Sequence, residues 1–164
     1  MTLPGYRTTN FTAAAICALA MLIAVVYFQN ILGLEPCYLC ITQRVFMTAC
    51  GALFLLAALH NPAPRVGKIY AWTTALVALG GAFFSAKQLW LQSLPEDLVP
   101  VCGPPVDYVL DAFPASKIIS LLLSGDGNCA EVQWQLFNIS MPGWVLMLFI
   151  GFAGVAVWQA LRTR

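Results

Sequence analysis

Residues 36–44 read Pro-Cys-Tyr-Leu-Cys-Ile-Thr-Gln-Arg and carry the most informative pattern in the chain. Two cysteines lie three positions apart, at the start of a long apolar run. We predict that Pro36 opens a helix here, because proline is well suited to the first helical position. Cys37, Cys40 and Arg44 then share one helical face. The positive end of the helix and the guanidinium group both favour a thiolate, so the pattern indicates a redox-active dithiol.

The composition of the chain is that of a membrane protein. Of its 164 residues, 60% are hydrophobic and only 9% are charged, whereas about 25% of a soluble domain is charged. The formal net charge is +1 and the chain has no basic arm, so we expect no nucleic-acid partner. Six cysteines in a chain of this length favour an oxidising compartment, redox chemistry or metal binding.

Four apolar stretches are long enough to cross a bilayer, which takes about 20 helical residues. We therefore predict one membrane domain over residues 1–164, an all-α bundle of four transmembrane helices. The spans are placed at about residues 12–32, 41–59, 69–91 and 142–161. They are joined by an outer loop at about 33–40, a polar turn at 60–68 and a long outer segment at about 92–141. Within that segment, 106–113 and 116–123 are predicted as short helices, the second lying along the bilayer surface.

Charge predicts the orientation of the bundle. The ends of the chain and the 60–68 turn share one side, which carries no acid and these bases: Arg7, Arg65, Lys68, Arg162 and Arg164. All 7 acidic residues fall on the other side. The positive-inside rule places the basic side in the cytoplasm. The cysteines at 37, 40, 102 and 129 are then on the outer side, while Cys17 and Cys50 fall within spans as small apolar side chains.

Two outer cysteine pairs suggest thiol–disulfide exchange. A ring closed by Cys37 and Cys40 is small and strained, which favours a labile bond over a structural disulfide or half a zinc site. Cys102 and Cys129 fit either a structural disulfide or an exchanging one. Exchange is favoured because prolines at 100, 104 and 105 keep the strand around Cys102 extended, as a peptide in a partner's groove would be. The glycines before Cys129 are expected to let its sulfur move.

Two basic residues and one alternative site complete the sequence argument. Arg44 fits either an arginine that reaches the membrane surface or a contact to a thiolate or ligand, and its position favours the contact. Lys87, at the outer end of the third span, fits both roles equally well. A zinc site made by the four outer cysteines is disfavoured, because the spacing from Cys102 to Cys129 is too long for a zinc knuckle and His60 lies in the opposite turn.

These motifs together resemble the disulfide bond formation protein B (DsbB) family, the quinone-reducing thiol oxidases of the bacterial inner membrane. The resemblance is carried by Cys-Tyr-Leu-Cys-Ile-Thr-Gln-Arg at 37–44, by Cys102 in a proline-bearing loop, and by Gly-Asn-Cys-Ala-Glu-Val-Gln-Trp at 127–134. It extends from the first span to the fourth. One departure is that Lys87 stands where the family pattern implies a histidine close to the quinone.

The resemblance implies periplasmic redox loops, cytoplasmic termini and a route for electrons. A reduced thioredoxin-fold partner of the DsbA type attacks a Cys102–Cys129 disulfide through Cys102. Cys37 then exchanges with that pair, and Cys40, beside Arg44, faces ubiquinone or menaquinone. Cys37, Cys40, Cys102 and Cys129 would be catalytic, Arg44 and Lys87 would bind the quinone, and no metal is implied.

Two alternatives stay open at this point. The first is a quinone reductase similar to vitamin K epoxide reductase, although in that family the Cys-x-x-Cys motif belongs to a late span. The second is a non-enzymatic membrane scaffold with a zinc or disulfide clip on its outer loops.

Overall fold

The computed structural model describes residues 5–104 and 106–162, and four long helices dominate it. They are α1 with its continuation (Tyr6–Ile31), α2 (Tyr38–His60), α3 (Pro64–Gln92) and α6 (Met141–Leu161), each long and apolar enough to cross a membrane. The predicted helical fold with four membrane spans is confirmed. Pro105 and Arg164, which entered the sequence argument, lie outside the described residues.

The first span changes its winding partway along. Tyr6–Leu22 is α-helical, and Ile23–Ile31 continues in the same direction as a π-helix. Such segments are rare and often occur at functional sites. Here the carbonyl of Ala24, in the π-helical segment, accepts a hydrogen bond from Arg44 on α2 at 3.0 Å.

The second helix begins at Tyr38, two residues after Pro36 and three residues before the predicted span at about 41–59. Cys37 is its N-cap, with extended backbone angles (φ −70°, ψ 168°), and the Cys37 sulfur accepts a hydrogen bond from the Cys40 N–H. The prediction that Pro36 opens the helix was therefore wrong. The reason is that a capping side chain reaches the free N–H groups only from a residue outside the helix.

The turn between the second and third helices is shorter than the predicted 60–68. Helix α2 ends at His60, where Asn61 adopts a left-handed conformation (φ 39°, ψ 55°) and its N–H bonds the Ala57 carbonyl. Helix α3 begins at Pro64, so only residues 61–63 connect the two. Apolar periodicity missed this start because the first turn of α3 carries basic side chains.

Glycines allow the helices to approach closely in the centre of the bundle. Helix α3 packs along α6, α1 packs along α2, and α2 packs against α3. A Cβ atom at Gly81 would lie 2.4 Å from the Phe149 ring, and one at Gly80 would lie 2.6 Å from the Phe46 ring. Small residues at such contacts are typical of membrane helices. The Phe149 side chain, which is 0% exposed, thereby packs directly onto the backbone of α3.

A buried pair of amides joins the first and last spans. Asn10 Nδ2 donates to Gln159 Oε1 at 2.9 Å, and Gln159 Nε2 donates back to Asn10 Oδ1 at 3.4 Å. Both side chains are buried. Because each amide satisfies the other, the pair connects α1 to α6 without leaving these polar groups unpaired.

The long outer segment folds over the ends of α2 and α3. It contains α4 (Val106–Ala112) and α5 (Ala115–Ser124), both within two residues of their predicted positions. It also forms short 3₁₀ turns at Glu96–Leu98 and Gly127–Cys129. An antiparallel hairpin that was not predicted, β1 (Gln135–Leu136) with β2 (Ile139–Ser140), leads into α6.

Candidate active site

Cys37 and Cys40 lie together at the N-terminal end of α2. Their sulfur atoms are 2.7 Å apart, and the Cys40 N–H donates to the Cys37 sulfur at 3.3 Å. Cys37 is buried and Cys40 is half-buried. The capping geometry therefore holds both sulfurs in one place, within reach of each other for disulfide exchange.

Two glutamines lie beside this dithiol, and neither was predicted as a site residue. Gln88 on α3 donates from Nε2 to both sulfurs, at 3.4 Å in each case. Its Oε1 accepts a bond from Gln43 Nε2 at 2.7 Å. Both glutamines are buried. The available signal was the presence of amides inside otherwise apolar spans, where polar side chains are usually functional.

A largely apolar cavity opens beside Cys40. It encloses about 660 Å³ of empty space, including its open mouth. Its apolar walls include Met21, Phe28, Leu34, Met47, Val145 and Leu148. The polar side chains that line it include Cys40, Gln43, Arg44 and Gln88. An apolar space with a few convergent polar groups is the usual form of a small-molecule site.

Arg44 is fixed in the wall of this cavity. Its Nη1 donates to Gln29 Oε1 at 2.7 Å, and its Nη2 donates to the Ala24 carbonyl at 3.0 Å. Cys40 lines the same cavity. The structure therefore brings Arg44 and Cys40 to the same cavity, although Arg44 is held by the first span.

Lys87 does not line this cavity. Its Nζ donates to the Leu123 carbonyl at 2.8 Å, in the last turn of α5. Thr42 Oγ1 donates to the neighbouring Leu122 carbonyl at 2.8 Å. These two bonds attach the end of α5 to α3 and α2. Among the described residues that line the cavity, α3 contributes Gln88 rather than Lys87.

The outer cysteines differ sharply in exposure. Cys102 is exposed, whereas Cys129 is 0% exposed. A Cβ atom at Gly127 would lie 2.4 Å from the Pro100 carbonyl oxygen and 3.0 Å from the Cys102 sulfur. The extended segment that carries Cys102 thus lies against the backbone just before Cys129. Gly127 is required for this close approach, because any side chain would meet the Pro100 carbonyl. The sequence had predicted a different role for these glycines, which was to let the Cys129 sulfur move.

Cys129 also contacts the dithiol on α2. A hydrogen bond from Cys37 lowers the pKa of the Cys129 thiol, and the same bond raises the pKa of Cys37. Desolvation opposes the first shift and adds to the second. The Cys37 and Cys129 sulfurs are therefore close enough to interact directly, within one buried cluster.

The four outer cysteines form a connected series. Cys102 lies at the surface beside the Cys129 turn, Cys129 contacts Cys37, and Cys37 contacts Cys40 at the cavity. Such a series can pass electron pairs from solvent to the cavity by successive exchanges, and a disulfide in the opposite direction. Cys17 and Cys50 instead belong to the apolar core of the bundle. Within the described part of the chain, no three histidine, cysteine or carboxylate side chains are placed to share a metal ion.

The sequence is similar to known proteins over almost its whole length. A family profile described as "Disulfide bond formation protein DsbB" matches residues 6–159. Several similar proteins carry the name "Disulfide bond formation protein B". The one from Saccharophagus degradans is 46% identical to this chain, over 98% of this chain and 96% of the relative. The relative in Hahella chejuensis is 47% identical, over 95% of each chain. The one in Chromobacterium violaceum is 48% identical, over 98% of each chain.

Proposed function

The chain belongs to the DsbB family of disulfide-forming membrane proteins, and on that premise we propose that it oxidises a reduced thioredoxin-fold protein of the DsbA type. In this proposal the electron pair passes through two cysteine pairs to ubiquinone or menaquinone. The enzyme would be a protein-thiol:quinone oxidoreductase. Cys37, Cys40, Cys102 and Cys129 are its proposed catalytic residues.

The observation that carries the proposal is the order of exposure along the four sulfurs. Exposed Cys102 suits attack by the thiolate of a soluble partner. Buried Cys129, which would leave with the electron pair, lies against Cys37, so the next exchange requires little movement. Cys40 would then receive the electron pair where it borders the cavity.

The residues around the cavity fit a quinone. When bound, a quinone accepts an electron pair and two protons. The apolar walls suit its ring and its lipid-like tail, while Arg44 and Gln88 supply N–H donors that suit carbonyl oxygens. Gln88 Nε2 also donates to the Cys40 sulfur at 3.4 Å, and Arg44 lies in the same cavity wall. A hydrogen-bond donor and a positive charge in these positions would both favour a thiolate at Cys40. Lys87 contributes indirectly in this proposal, by holding the end of α5.

We place the protein in the bacterial inner membrane with both termini in the cytoplasm and the redox loops in the periplasm. The support is the separation of bases and acids between the two ends of the bundle. A membrane-impermeant maleimide, applied to intact cells after reduction, should label Cys102. Labelling of Cys102 only after lysis would contradict this orientation.

The central experiment is anaerobic mixing of the full chain in detergent with a reduced thioredoxin-fold protein and a short-chain quinone. We expect the quinone absorbance to fall, and the fall to be lost in Cys102→Ser and Cys40→Ser. The matched control is the double variant Cys17→Ala/Cys50→Ala, which removes two cysteines outside the series and should remain active. No loss of quinone absorbance with the wild-type chain would refute the proposal.

The two other readings predict different results. A scaffold with a zinc clip would contain about one zinc per chain after purification. A reductase similar to vitamin K epoxide reductase would pass electrons from its dithiol to a quinone epoxide, so an epoxide and not only a quinone would be consumed in the same assay. Membership of the DsbB family favours the oxidase over both.

A further inference from the structure

The C-terminal end of α5 is bonded by side chains from two membrane spans. The last carbonyls of a helix have no partner within it. The Leu122 carbonyl accepts a hydrogen bond from Thr42 Oγ1 on α2 at 2.8 Å, and the Leu123 carbonyl accepts one from Lys87 Nζ on α3 at 2.8 Å. A cation at this end of a helix also opposes the negative end of its dipole. Two spans therefore hold one end of a helix that belongs to the outer segment.

These bonds matter because packing alone holds α5 only weakly. None of its ten residues, all of which the structure describes, is buried. The side chains that pack against the cluster of Cys37 and Cys129 are only half-buried: Ile118, Leu121 and Leu122. Such partial burial gives a helix little resistance to sliding along its neighbours. The polar bonds at its end therefore fix its position.

The chain from the end of α5 to Cys129 is short and tightly folded. The Gly125 N–H bonds the Leu121 carbonyl at 2.9 Å. Gly125 has φ 73°, and a Cβ atom there would lie 2.9 Å from the Leu39 side chain on α2. A 3₁₀ turn follows, in which the Cys129 N–H donates to the Asp126 carbonyl at 3.0 Å. The position of the α5 end is therefore passed on to the Cys129 sulfur.

The same two spans hold the dithiol. Gln88, the residue after Lys87 in α3, donates a hydrogen bond to both dithiol sulfurs. Thr42 lies two residues after Cys40 in α2. One stretch of each span therefore positions the inner cysteine pair directly, and positions Cys129 through α5.

We infer that Lys87 is a positioning residue for the attack of Cys129 on Cys37, an inference that rests on the proposed function. In that step the Cys129 thiolate, released when the partner bonds to Cys102, forms a bond with the Cys37 sulfur. The Cys37–Cys40 bond breaks, and its electron pair leaves on Cys40 as a thiolate. Lys87 takes no part in this exchange of bonds. It holds α5 in the place that keeps the Cys129 sulfur within reach of Cys37.

The test measures how strongly the fold favours a bond between Cys37 and Cys129. In a Cys40→Ser/Cys102→Ser chain, a glutathione buffer oxidises these two thiols to one disulfide, and one oxidised glutathione becomes two reduced ones. The equilibrium, read by a maleimide gel shift, gives the effective concentration of one sulfur at the other. Lys87→Met keeps the aliphatic stem but removes the donor. We expect this concentration to fall by about tenfold, which is typical of one lost charge-assisted hydrogen bond.

Three further variants in the same background separate this bond from general effects. Lys87→Arg keeps a charged donor and should keep the parent value. Lys117→Met makes the same chemical change at an exposed lysine of α5, and should leave the equilibrium unchanged. Thr42→Val removes the other donor to the end of α5 and should lower the value as Lys87→Met does, since both bonds hold the same helix end.

Quinone kinetics separate positioning from quinone binding. In a chain with all its cysteines and a reduced thioredoxin-fold protein, Lys87→Met should slow quinone reduction by about 3- to 10-fold. In a Cys102→Ser/Cys129→Ser chain, a small dithiol can reach the quinone only through Cys37 and Cys40. There Lys87→Met should leave both the rate and the KM for quinone unchanged.

The outcomes are distinguishable. A wild-type chain that fails to reduce quinone with the protein partner refutes the proposed function, whatever the glutathione equilibrium shows. If the wild-type chain works and Lys87→Met leaves that equilibrium unchanged, only the positioning role is refuted. A slower reaction or a raised quinone KM in the dithiol assay assigns Lys87 to quinone binding or to the stability of the bundle, and also overturns the inference.

Discussion

Replacing Gln88 with leucine should slow electron transfer from Cys40 to quinone while leaving the exchange steps with the partner intact. The change removes the Nε2 donor that lies 3.4 Å from both dithiol sulfurs. A hydrogen bond to a charged group contributes about 1.5–3 kcal/mol. Because about 1.4 kcal/mol corresponds to a tenfold change in rate, dithiol-driven quinone reduction should fall by about 10- to 100-fold.

The same variant should be less stable, for a separate reason. Gln43 Nε2 donates to Gln88 Oε1 at 2.7 Å and would be left buried without an acceptor. An unpaired buried donor costs about 1–3 kcal/mol, whereas removal of both partners can be nearly neutral. The double variant Gln43→Leu/Gln88→Leu should therefore regain most of the thermal stability in detergent but not the rate. Recovery of the rate together with the stability would refute a direct role for Gln88 at the sulfurs.

Three further predictions concern other contacts. Arg44→Ala should raise the apparent KM for quinone more than that for the protein partner, since Arg44 lines the cavity; steady-state kinetics with an unchanged quinone KM would contradict this. Cys37→Ala removes the hydrogen bond that lowers the Cys129 pKa. The lowered pKa makes the Cys129 thiolate stabilising above the ordinary thiol pKa, with the contribution lost as pH falls through the lowered value. The pH midpoint of Cys129 alkylation should therefore move upward in the variant, and a midpoint that stays or falls would count against the bond. Gly81→Ala places a Cβ atom 2.4 Å from the Phe149 ring and should destabilise the bundle by about 1–3 kcal/mol; thermal unfolding should show partial rescue by Phe149→Leu, and no loss would show that the ring has room to move.

The sequence was sufficient for the large features of this fold. Each span is a long apolar run, and a bilayer leaves the backbone few alternatives to a helix. The short helices of the outer segment were likewise recognisable from their apolar content. The exact start of α2 was not, because the capping role of the Cys37 sulfur depends on side-chain geometry rather than on composition.

The surroundings of the cysteines could be predicted only in part. Arg44 is one turn after Cys40, so a local spacing rule placed it in the cavity wall. On the third span, the sequence pointed to Lys87, whereas the structure places the neighbouring Gln88 at the sulfurs. Adjacent residues on a helix point about 100° apart, so Lys87 reaches α5 while Gln88 reaches the sulfurs. The bonds of Asp126 to Gly103 and Cys129 depend on how two loops fold together, and no periodic pattern encodes that contact.

The use of a redox sulfur as a helix cap has a consequence for spectroscopy. The Cys37 sulfur accepts the Cys40 N–H, so the first turn of α2 is hydrogen-bonded to an atom whose oxidation state changes during the proposed reaction. A bond from this sulfur to Cys129 would change the acceptor that the Cys40 amide proton meets. The nitrogen-15 resonance of this amide is therefore a built-in reporter. It distinguishes the resting chain from the form with a Cys37–Cys129 disulfide, without any attached label.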